Sequence, residues 1–205
     1  MHGINPKRWF YDLGRHLRSD PGDRIVLTGA ACEQWFNGLL FRVIAEGLPS
    51  RLTAYPEWKR RQHDVAVLPV AQHEGRAVVD WKCPVSIIEN KVLYLSYSTG
   101  KRDALIARLL QQVQAPSTAR DRIGLLLAAY VYRPAEGVPH QTFAQFRRDV
   151  GARFRAAIRE APALWKVTID HGGPMETVLK ESDTKVGGEK VVVACAGQYV
   201  RLRQK

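Results

Sequence analysis

The sequence has few cysteines, and the three that it has are far apart. Cys32, Cys83 and Cys195 show no metal-ligand spacing among themselves or with the histidines. A disulfide framework or a structural zinc site needs regularly spaced ligands, so the sequence argues against both. Scattered free thiols suit a reducing compartment, and we therefore expect a cytoplasmic protein.

Long hydrophobic runs are also missing. No apolar stretch approaches the roughly 20 residues that a membrane-spanning helix needs. The first residues, MHGINPKRWFYDLG, lack the apolar centre of a signal peptide. We therefore expect no membrane partner. Hydrophobic residues still make up 45% of the 205 residues, which is enough for the core of one domain.

Several common catalytic motifs are absent as well. The sequence contains no P-loop, no GxGxxG, no HxxxH and no serine-hydrolase motif. Positive charge is what the chain has in surplus, because 31 Lys and Arg stand against 20 Asp and Glu, a net charge of +11. A surplus of this size favours a polyanionic partner, and we expect nucleic acid, with DNA favoured over RNA.

Apolar residues at helical spacing predict four helices. The clearest early helix covers residues 28–46, with Thr28 as a candidate N-cap and Gly47 as a candidate C-cap. Glu33 borders its apolar stripe, where a carboxylate needs a metal, a lysine or solvent to satisfy it. The other helices are predicted over residues 5–19, 101–114 and 141–160.

Shorter runs predict strands. Residues 51–59 suit an edge strand, because Pro56 cannot donate to a neighbour, and residues 122–132 read as a fully buried strand. Residues 86–98 fit either a helix or a strand. A C-terminal hairpin is predicted with strands near residues 166–169 and 190–194 and a mobile glycine-containing loop between them.

Residues 63–82 carry the most specific pattern. Two apolar runs, HDVAVLPV and AVVDWK, flank a short polar break and predict a β-hairpin centred near His73. In that register Asp64 lies opposite Lys82, and Asp80 shares a strand face with Lys82. Two carboxylates and an ammonium would then meet at one end of two strands. Carboxylates can hold Mg²⁺ together with substrate phosphate, and a neighbouring lysine can orient water or stabilise charge.

This arrangement resembles the PD-(D/E)xK nuclease superfamily, which has a restriction-endonuclease-like core. The family pattern is an acidic residue on a first helix, an aspartate opening one strand and a (D/E)xK on the next. The matching residues here are Glu33, Asp64, Asp80 and Lys82. One departure is His63, which precedes Asp64 where the family often has proline. The predicted order of helix, three strands, helix and strand agrees with that core.

The resemblance implies an α/β fold with a mixed central sheet flanked by helices. We expect a single domain over residues 1–205, with a nuclease-like core at residues 28–132. An N-terminal helical arm would occupy residues 1–22, and a C-terminal helix and hairpin extension would occupy residues 140–205.

The resemblance also implies a metal-dependent nuclease, with an endonuclease favoured, that hydrolyses phosphodiester bonds with Mg²⁺ or Mn²⁺. Asp64 and Asp80 would be metal ligands, and Glu33 would support the metal or the water. Lys82 would orient the attacking water or stabilise the pentavalent phosphate. Many nucleases of this fold work as dimers, which leaves a homodimer or a larger nucleoprotein complex open.

Basic residues in two places are candidates for phosphate contacts. One group crowds the approach to Asp64. The other lies on the helix at residues 141–160, whose basic face is more simply explained as a solvated face, with a DNA-facing groove wall as the alternative. The candidates are Lys59, Arg60, Arg61, His63, Arg147 and Arg148.

Alternatives remain at both levels. Glu89-Asn90-Lys91 is a rival triplet, with residues 85–88 as its strand and Asp80 as the upstream acid. The charged residues of the hairpin could also form ordinary surface pairs. In function, the same fold could be a nucleic-acid-binding module without catalysis, or an interaction subunit that meets an acidic protein partner.

Overall fold

The structure is a computed structural model that describes residues 4–25, 27–28, 32–57, 63–161, 167–170 and 173–204. Its helices are α1 (Pro6–Ser19), α2 (Pro21–Ile25), α3 (Cys32–Glu46), α4 (Thr99–Gln114) and α5 (Phe143–Glu160). Its strands are β1 (Leu52–Glu57), β2 (His63–His73), β3 (Arg76–Val79), β4 (Ser86–Tyr94), β5 (Asp121–Tyr132), β6 (Val167–Asp170), β7 (Glu176–Val186) and β8 (Glu189–Gln204).

The eight described strands form one mixed sheet. Their order is β1-β2-β4-β5-β8-β6, while β3 pairs with β2 and β7 pairs with β8. Only β4 and β5 run parallel among the described pairs, from Ser86 opposite Asp121 to Tyr94 opposite Ala129. Helix α4 makes the crossover that a parallel pair requires. The protein is therefore an α/β fold with a mixed central sheet and helices packed on it.

Two apolar clusters lie on the two faces of this sheet. Helices α1 and α3 pack in one cluster, and α4 and α5 pack in the other. Strand β5 contributes residues to both clusters. Leu125 and Leu127 belong to the first cluster, and Leu126 and Ala128 belong to the second. A strand buried on both faces has no polar alternation, which is why residues 122–132 read as a continuous apolar run. That prediction is confirmed.

The outer helices follow their sequence signals. Helix α1 begins after Asn5, whose side chain accepts a hydrogen bond from the Arg8 backbone, and it buries Trp9 and Leu13 in the core. Helix α5 begins with a capping box between Thr142 and Gln145. Its five predicted inward residues are all buried, as the periodicity indicated: Phe143, Phe146, Val150, Phe154 and Ile158.

The predicted start of the 28–46 helix is wrong in detail. Helix α3 begins at Cys32, and the Thr28 hydroxyl donates to the Ile25 carbonyl at 2.8 Å instead of capping α3. Residues 29–31 lie outside the described part of the chain. The predicted end is confirmed, because Gly47 N–H donates to carbonyls of the last turn.

The C-terminal region differs more from its prediction. Most of the expected loop after residue 169 is strand β7, which pairs with β8 through the two-residue turn Gly187-Gly188. Both turn glycines have positive φ, 58° and 86°, as a tight hairpin turn demands. Strand β8 also pairs with β5 from Val192 to Arg203. The segment expected as an extension therefore completes the same sheet.

Among the residues that the structure describes, no helix has both the length and the hydropathy that crossing a bilayer requires.

Candidate functional site

The β2–β3 hairpin forms, but the predicted register is wrong. Val70 lies opposite Val79 and His73 opposite Arg76, around a turn at Glu74-Gly75 in which both residues have positive φ. The turn lies past His73, so the two strands are offset by three residues from the predicted pairing. As a result, Asp64 does not lie opposite Lys82.

Asp80 and Lys82 lie beyond the end of β3, and both are exposed. Asp80 N–H donates to the carbonyl of Pro69, and its side chain accepts from the Lys82 backbone at 2.9 Å. Pro69 lies five positions after Asp64 on β2, about 17 Å at strand rise. The Asp80 side chain therefore serves its own turn by accepting the hydrogen bond from Lys82. The structure does not bring Asp80 and Asp64 together.

Asp64 instead lies next to the rival triplet. Strands β2 and β4 are antiparallel, with Val65 opposite Ile88. Continuing this register by one residue sets Asp64 opposite Glu89. Directly opposite residues have Cβ atoms about 5 Å apart, although the Asp64 carboxylate itself turns to Asn90, whose side chain lies on the other face of β4 from Glu89. Residues 86–98 were ambiguous in the sequence, and their first part is a strand of the central sheet.

A chain of side-chain amides fixes the Asp64 carboxylate. Its Oδ2 accepts hydrogen bonds from the backbone N–H of Asn90 at 2.8 Å and from the Asn90 side-chain amide at 3.2 Å. The same Asn90 amide nitrogen donates to Asn37 Oδ1 at 2.6 Å. Asn37 lies on α3. The hydrogen bonds of Asn90 therefore join α3, the start of β2 and the middle of β4.

Burial sets the charged residues of β4 apart. Glu89 is 1% exposed and Lys91 is 8% exposed. Apart from Ser86 and Asn90, the other positions of their strand are apolar or aromatic, and the two residues share the face opposite to that of Asn90. Burying a charge is costly unless other groups compensate it, so charged residues in such a strand mark a candidate functional position.

Two buried arginines bind backbone carbonyls near the two ends of α4. Arg102 donates to the Leu95 carbonyl at 2.6 Å, pairs with Asp149 and lies over the Phe146 ring. Burial lowers the pKa of Arg102, and the Asp149 carboxylate opposes that change. At the other end of α4, Arg122 donates to two carbonyls of the helix terminus, and burial lowers its pKa too.

The donor set of this site suits a hard cation. Asp64 and Glu89 provide two carboxylates from adjacent strands, and Mg²⁺ is commonly held by one or two carboxylates with waters and substrate phosphate. Across the described residues, no group of three or more His, Cys, Asp or Glu side chains is placed to hold a metal. Glu33 lies on α3 one turn before Asn37, and its side chain is outside the described part.

The predicted phosphate contacts are only partly described. Lys59, Arg60 and Arg61 lie outside the described residues, as does the side chain of His63. Arg147 donates to the Thr177 hydroxyl, and Arg148 is exposed. Helix α5 packs on α4, β5 and β8, so these two arginines lie away from the strand end that carries Asp64.

The sequence argument missed Asn37 and Asn90 as site residues. Asn90 had a signal, because it is the centre of a polar triplet, Glu89-Asn90-Lys91, inside a strand-length run that is otherwise largely apolar. Asn37 had a weaker one, since it follows Glu33 by one helical turn on the same helix face. Comparison of the chain with protein-family models, curated proteins and solved structures gives no match, so its function is inferred from its own residues.

Proposed function

We propose that this protein is a metal-dependent nuclease, acting on DNA more readily than RNA, with Asp64, Glu89 and Lys91 at its active site. One observation carries the proposal: Asp64 is bound to Asn90, between a buried glutamate and a buried lysine of the same strand. The triplet is thus Glu89-Asn90-Lys91 and not Asp80-Trp81-Lys82, whose charged residues are exposed in a turn.

The order of elements supports the same proposal. Leaving aside the β3 hairpin arm, the chain runs through α3, then β1, β2 and β4, then α4 and β5. This is helix, three strands of the sheet, helix and strand, as the resemblance to PD-(D/E)xK nucleases implies. In this scheme Glu33 is the acidic residue of the first helix, and Asp64 opens the second strand.

Each residue has a role that its chemistry permits. Asp64 and Glu89 would hold Mg²⁺ or Mn²⁺, with Glu33 as a further acidic neighbour. When bound, such a cation supplies Lewis acidity toward a phosphate oxygen and makes a water more acidic. Asn90 orients the Asp64 carboxylate, and Asn37 orients Asn90. The Lys91 ammonium would stabilise the negative charge that develops on the phosphate.

The reaction adds one water across a phosphodiester bond. The water oxygen bonds to phosphorus, and the bond from phosphorus to the leaving oxygen breaks. The attacking water loses a proton, and the leaving oxygen gains one. The net charge of +11 would favour encounter with a polyanionic substrate and make binding sensitive to salt.

A cleavage assay with paired variants tests the proposal. Plasmid, linear duplex, single-stranded DNA and RNA would each be incubated with Mg²⁺, Mn²⁺ or EDTA. We expect metal-dependent cleavage that falls about 100-fold or more in Asp64→Asn, Glu89→Gln and Lys91→Gln. The first two changes remove the charge of a metal ligand, and the third removes the cation that would stabilise the reacting phosphate. The matched controls are Asp80→Asn and Lys82→Gln, which should cut like the original protein.

Thermal unfolding of every variant separates lost chemistry from lost structure, since Glu89 and Lys91 are buried. Loss of activity in the Asp80 and Lys82 variants, with activity kept in the other three, would reassign the triplet. Absence of cleavage under all conditions, with salt-sensitive binding kept, would indicate a binding module without catalysis.

A further inference from the structure

A cavity of about 530 Å³ opens at the carboxyl ends of the parallel strands β4 and β5. Its walls include Tyr94 at the end of β4, Tyr132 at the end of β5, and Tyr97 and Lys101 around the start of α4. Ligands of α/β sheets commonly bind outside the carboxyl ends of parallel strands. The volume falls within the range of small-ligand sites, about 300–1,000 Å³.

Aromatic rings and one cation define the chemistry of this cavity. The rings of Tyr94 and Tyr97 meet edge to face, with centroids 5.3 Å apart. The Lys101 ammonium lies 3.5 Å from the centre of the Tyr97 ring. Tyrosine rings offer stacking surface to a nucleobase, and an adjacent ammonium can bind the phosphate that follows it.

The rim of the cavity limits how much anion it can accept. Arg133 is already paired with Glu136 at 3.3 Å and with Glu189 at 3.5 Å. Its charge is therefore compensated, and Glu136 adds a carboxylate on that side. Among the described residues, no ion pair to Lys101 is found, so positive charge is concentrated on the α4 side of the opening. Such a rim suits one phosphate and not the two charged backbones of a duplex.

The cavity lies farther along β4 than the candidate active site. Asn90, Val92 and Tyr94 alternate onto the same face of that strand. Tyr94 lies three residues beyond Lys91, about 10 Å at strand rise. Within the described ranges, β2 begins at His63 and its pairs with β4 involve only Ser86 to Ile88.

We infer that this cavity binds one unpaired nucleotide of a single-stranded nucleic acid, with its base against the tyrosines and its phosphate at Lys101. The inference rests on the proposed nuclease function, because the nucleotide bound in the cavity would belong to the same strand as the phosphate that is cut. It adds a substrate class, single-stranded nucleic acid, and three contact residues, Tyr97, Tyr132 and Lys101.

Binding measured in EDTA tests the inference without cleavage. A short fluorescein-labelled single-stranded DNA and its duplex would be titrated with the full chain and followed by anisotropy. We expect tighter binding of the single strand, and binding about 10-fold to 100-fold weaker in Tyr97→Ala and Tyr132→Ala. Tyr11→Ala is the matched control, because Tyr11 is an exposed tyrosine that also carries a cation, Arg8, over its ring.

Two further readouts are specific to the contacts. Tyr97→Phe and Tyr132→Phe keep the ring and should restore binding, which separates stacking from a general loss of structure. Lys101→Gln should reduce the slope of log affinity against log salt by about 0.7, the value for one single-strand phosphate contact. A single-stranded DNA containing 2-aminopurine should lose fluorescence on binding through stacking, and Tyr97→Ala should abolish that loss.

Each outcome decides the inference separately from the nuclease proposal. Unchanged single-strand affinity in both tyrosine-to-alanine variants would overturn the cavity as a nucleotide site, even if the protein cleaves DNA. Equal or tighter binding of the duplex would overturn the assignment to single strands. Ring-dependent binding in EDTA by a protein that never cleaves would support the cavity and reject the nuclease.

Discussion

Asp64 accepts two hydrogen bonds from Asn90 on a single carboxylate oxygen, Oδ2. One comes from the backbone N–H at 2.8 Å and the other from the side-chain amide at 3.2 Å. They lie where the pairing of β2 with β4 ends, so a side chain takes over from the backbone in joining the two strands. The orientation of the proposed metal ligand therefore depends on a residue that itself has no charge.

The first prediction concerns that dependence. Asn90→Ala removes both bonds made by the side-chain nitrogen and leaves Asn37 without its partner on β4. We expect the free energy of unfolding in urea to fall by about 1–3 kcal/mol. If the nuclease proposal holds, Mn²⁺ affinity measured by calorimetry should fall about 10-fold to 100-fold, as it does when a group that orients a metal ligand is removed.

Asn37→Ala is the control for this prediction, since it removes the helix contact and keeps the bonds from Asn90 to Asp64. It should weaken Mn²⁺ binding less than Asn90→Ala does. Equal metal affinity in the original protein and Asn90→Ala would show that the amide does not position the carboxylate.

The second prediction concerns a buried ion pair at the start of β5. Asp121 is 4% exposed and accepts from Arg203 Nε at 3.0 Å and from the Arg201 guanidinium. Asp121→Asn leaves two guanidinium groups facing a neutral amide. We expect a loss of about 3 kcal/mol in the free energy of unfolding, measured by urea denaturation.

Asp183→Asn is the matched control for Asp121→Asn. Asp183 pairs with Lys190 at 2.8 Å, and both side chains are more than half exposed. Solvent screening makes such a pair worth little, so this variant should unfold like the original protein. Similar losses in both variants would mean that burial does not strengthen the Asp121 pair.

Much of the fold could be predicted because its signals are local. The apolar spacing of α4 and α5 and the apolar run of β5 depend on neighbouring residues, and all three predictions were confirmed. The start of α3 and strand β7 were predicted wrongly. Strand β7 reads ETVLKESDTKV, a largely polar run that is a strand because it pairs with β8.

The site was harder to predict because it depends on pairing between distant segments. The sequence named Asp64, and named Glu89-Asn90-Lys91 only as a rival triplet. The choice between triplets turned on the hairpin register, which a turn at Glu74-Gly75 shifted by three residues. Register errors of this kind are invisible locally, since AVVDWK and SIIENKV both look like strands.

The third prediction is a dependence of stability on alkaline pH. Burial raises the pKa of the Cys195 thiol from 9.0 to about 12. Below pH 9 the thiol is protonated in both states, and its contribution is fully present. Between 9 and 12 the unfolded chain loses the proton while the native protein keeps it, so stability falls by about 1.4 kcal/mol per pH unit.

Cys195→Ala tests this dependence, because the change in unfolding free energy between two pH values can be compared in the variant and in the original protein. The free energy of unfolding would be measured near pH 8 and near pH 10 with a reducing agent. The original protein should lose about 1.4 kcal/mol more than the variant over that interval. Burial also raises the pKa of Tyr130, which adds a loss of the same sign that is common to both proteins and cancels. Cys83→Ala, at an exposed thiol, should behave like the original protein.

The last prediction concerns the contact between α1 and β8. A Cβ on Gly197 would lie 2.7 Å from the ring of Phe10, which is 2% exposed and has no room to move. Gly197→Ala should therefore lower the free energy of unfolding by about 1–3 kcal/mol. The urea midpoint gives this value directly if the slope of the transition is unchanged.

Gly38→Ala is the control in the same assay, and we expect it to raise the free energy of unfolding. Gly38 is an exposed position of α3, and a Cβ there would meet nothing within 4 Å. Alanine should raise stability by about 0.5–1 kcal/mol, because it restricts the unfolded chain and favours the helix. Phe10→Leu combined with Gly197→Ala should cost less than the sum of the two single changes, since the smaller side chain relieves the clash. Additive costs would instead mean that the alanine is accommodated by a shift of β8 and that Phe10 does not set the spacing.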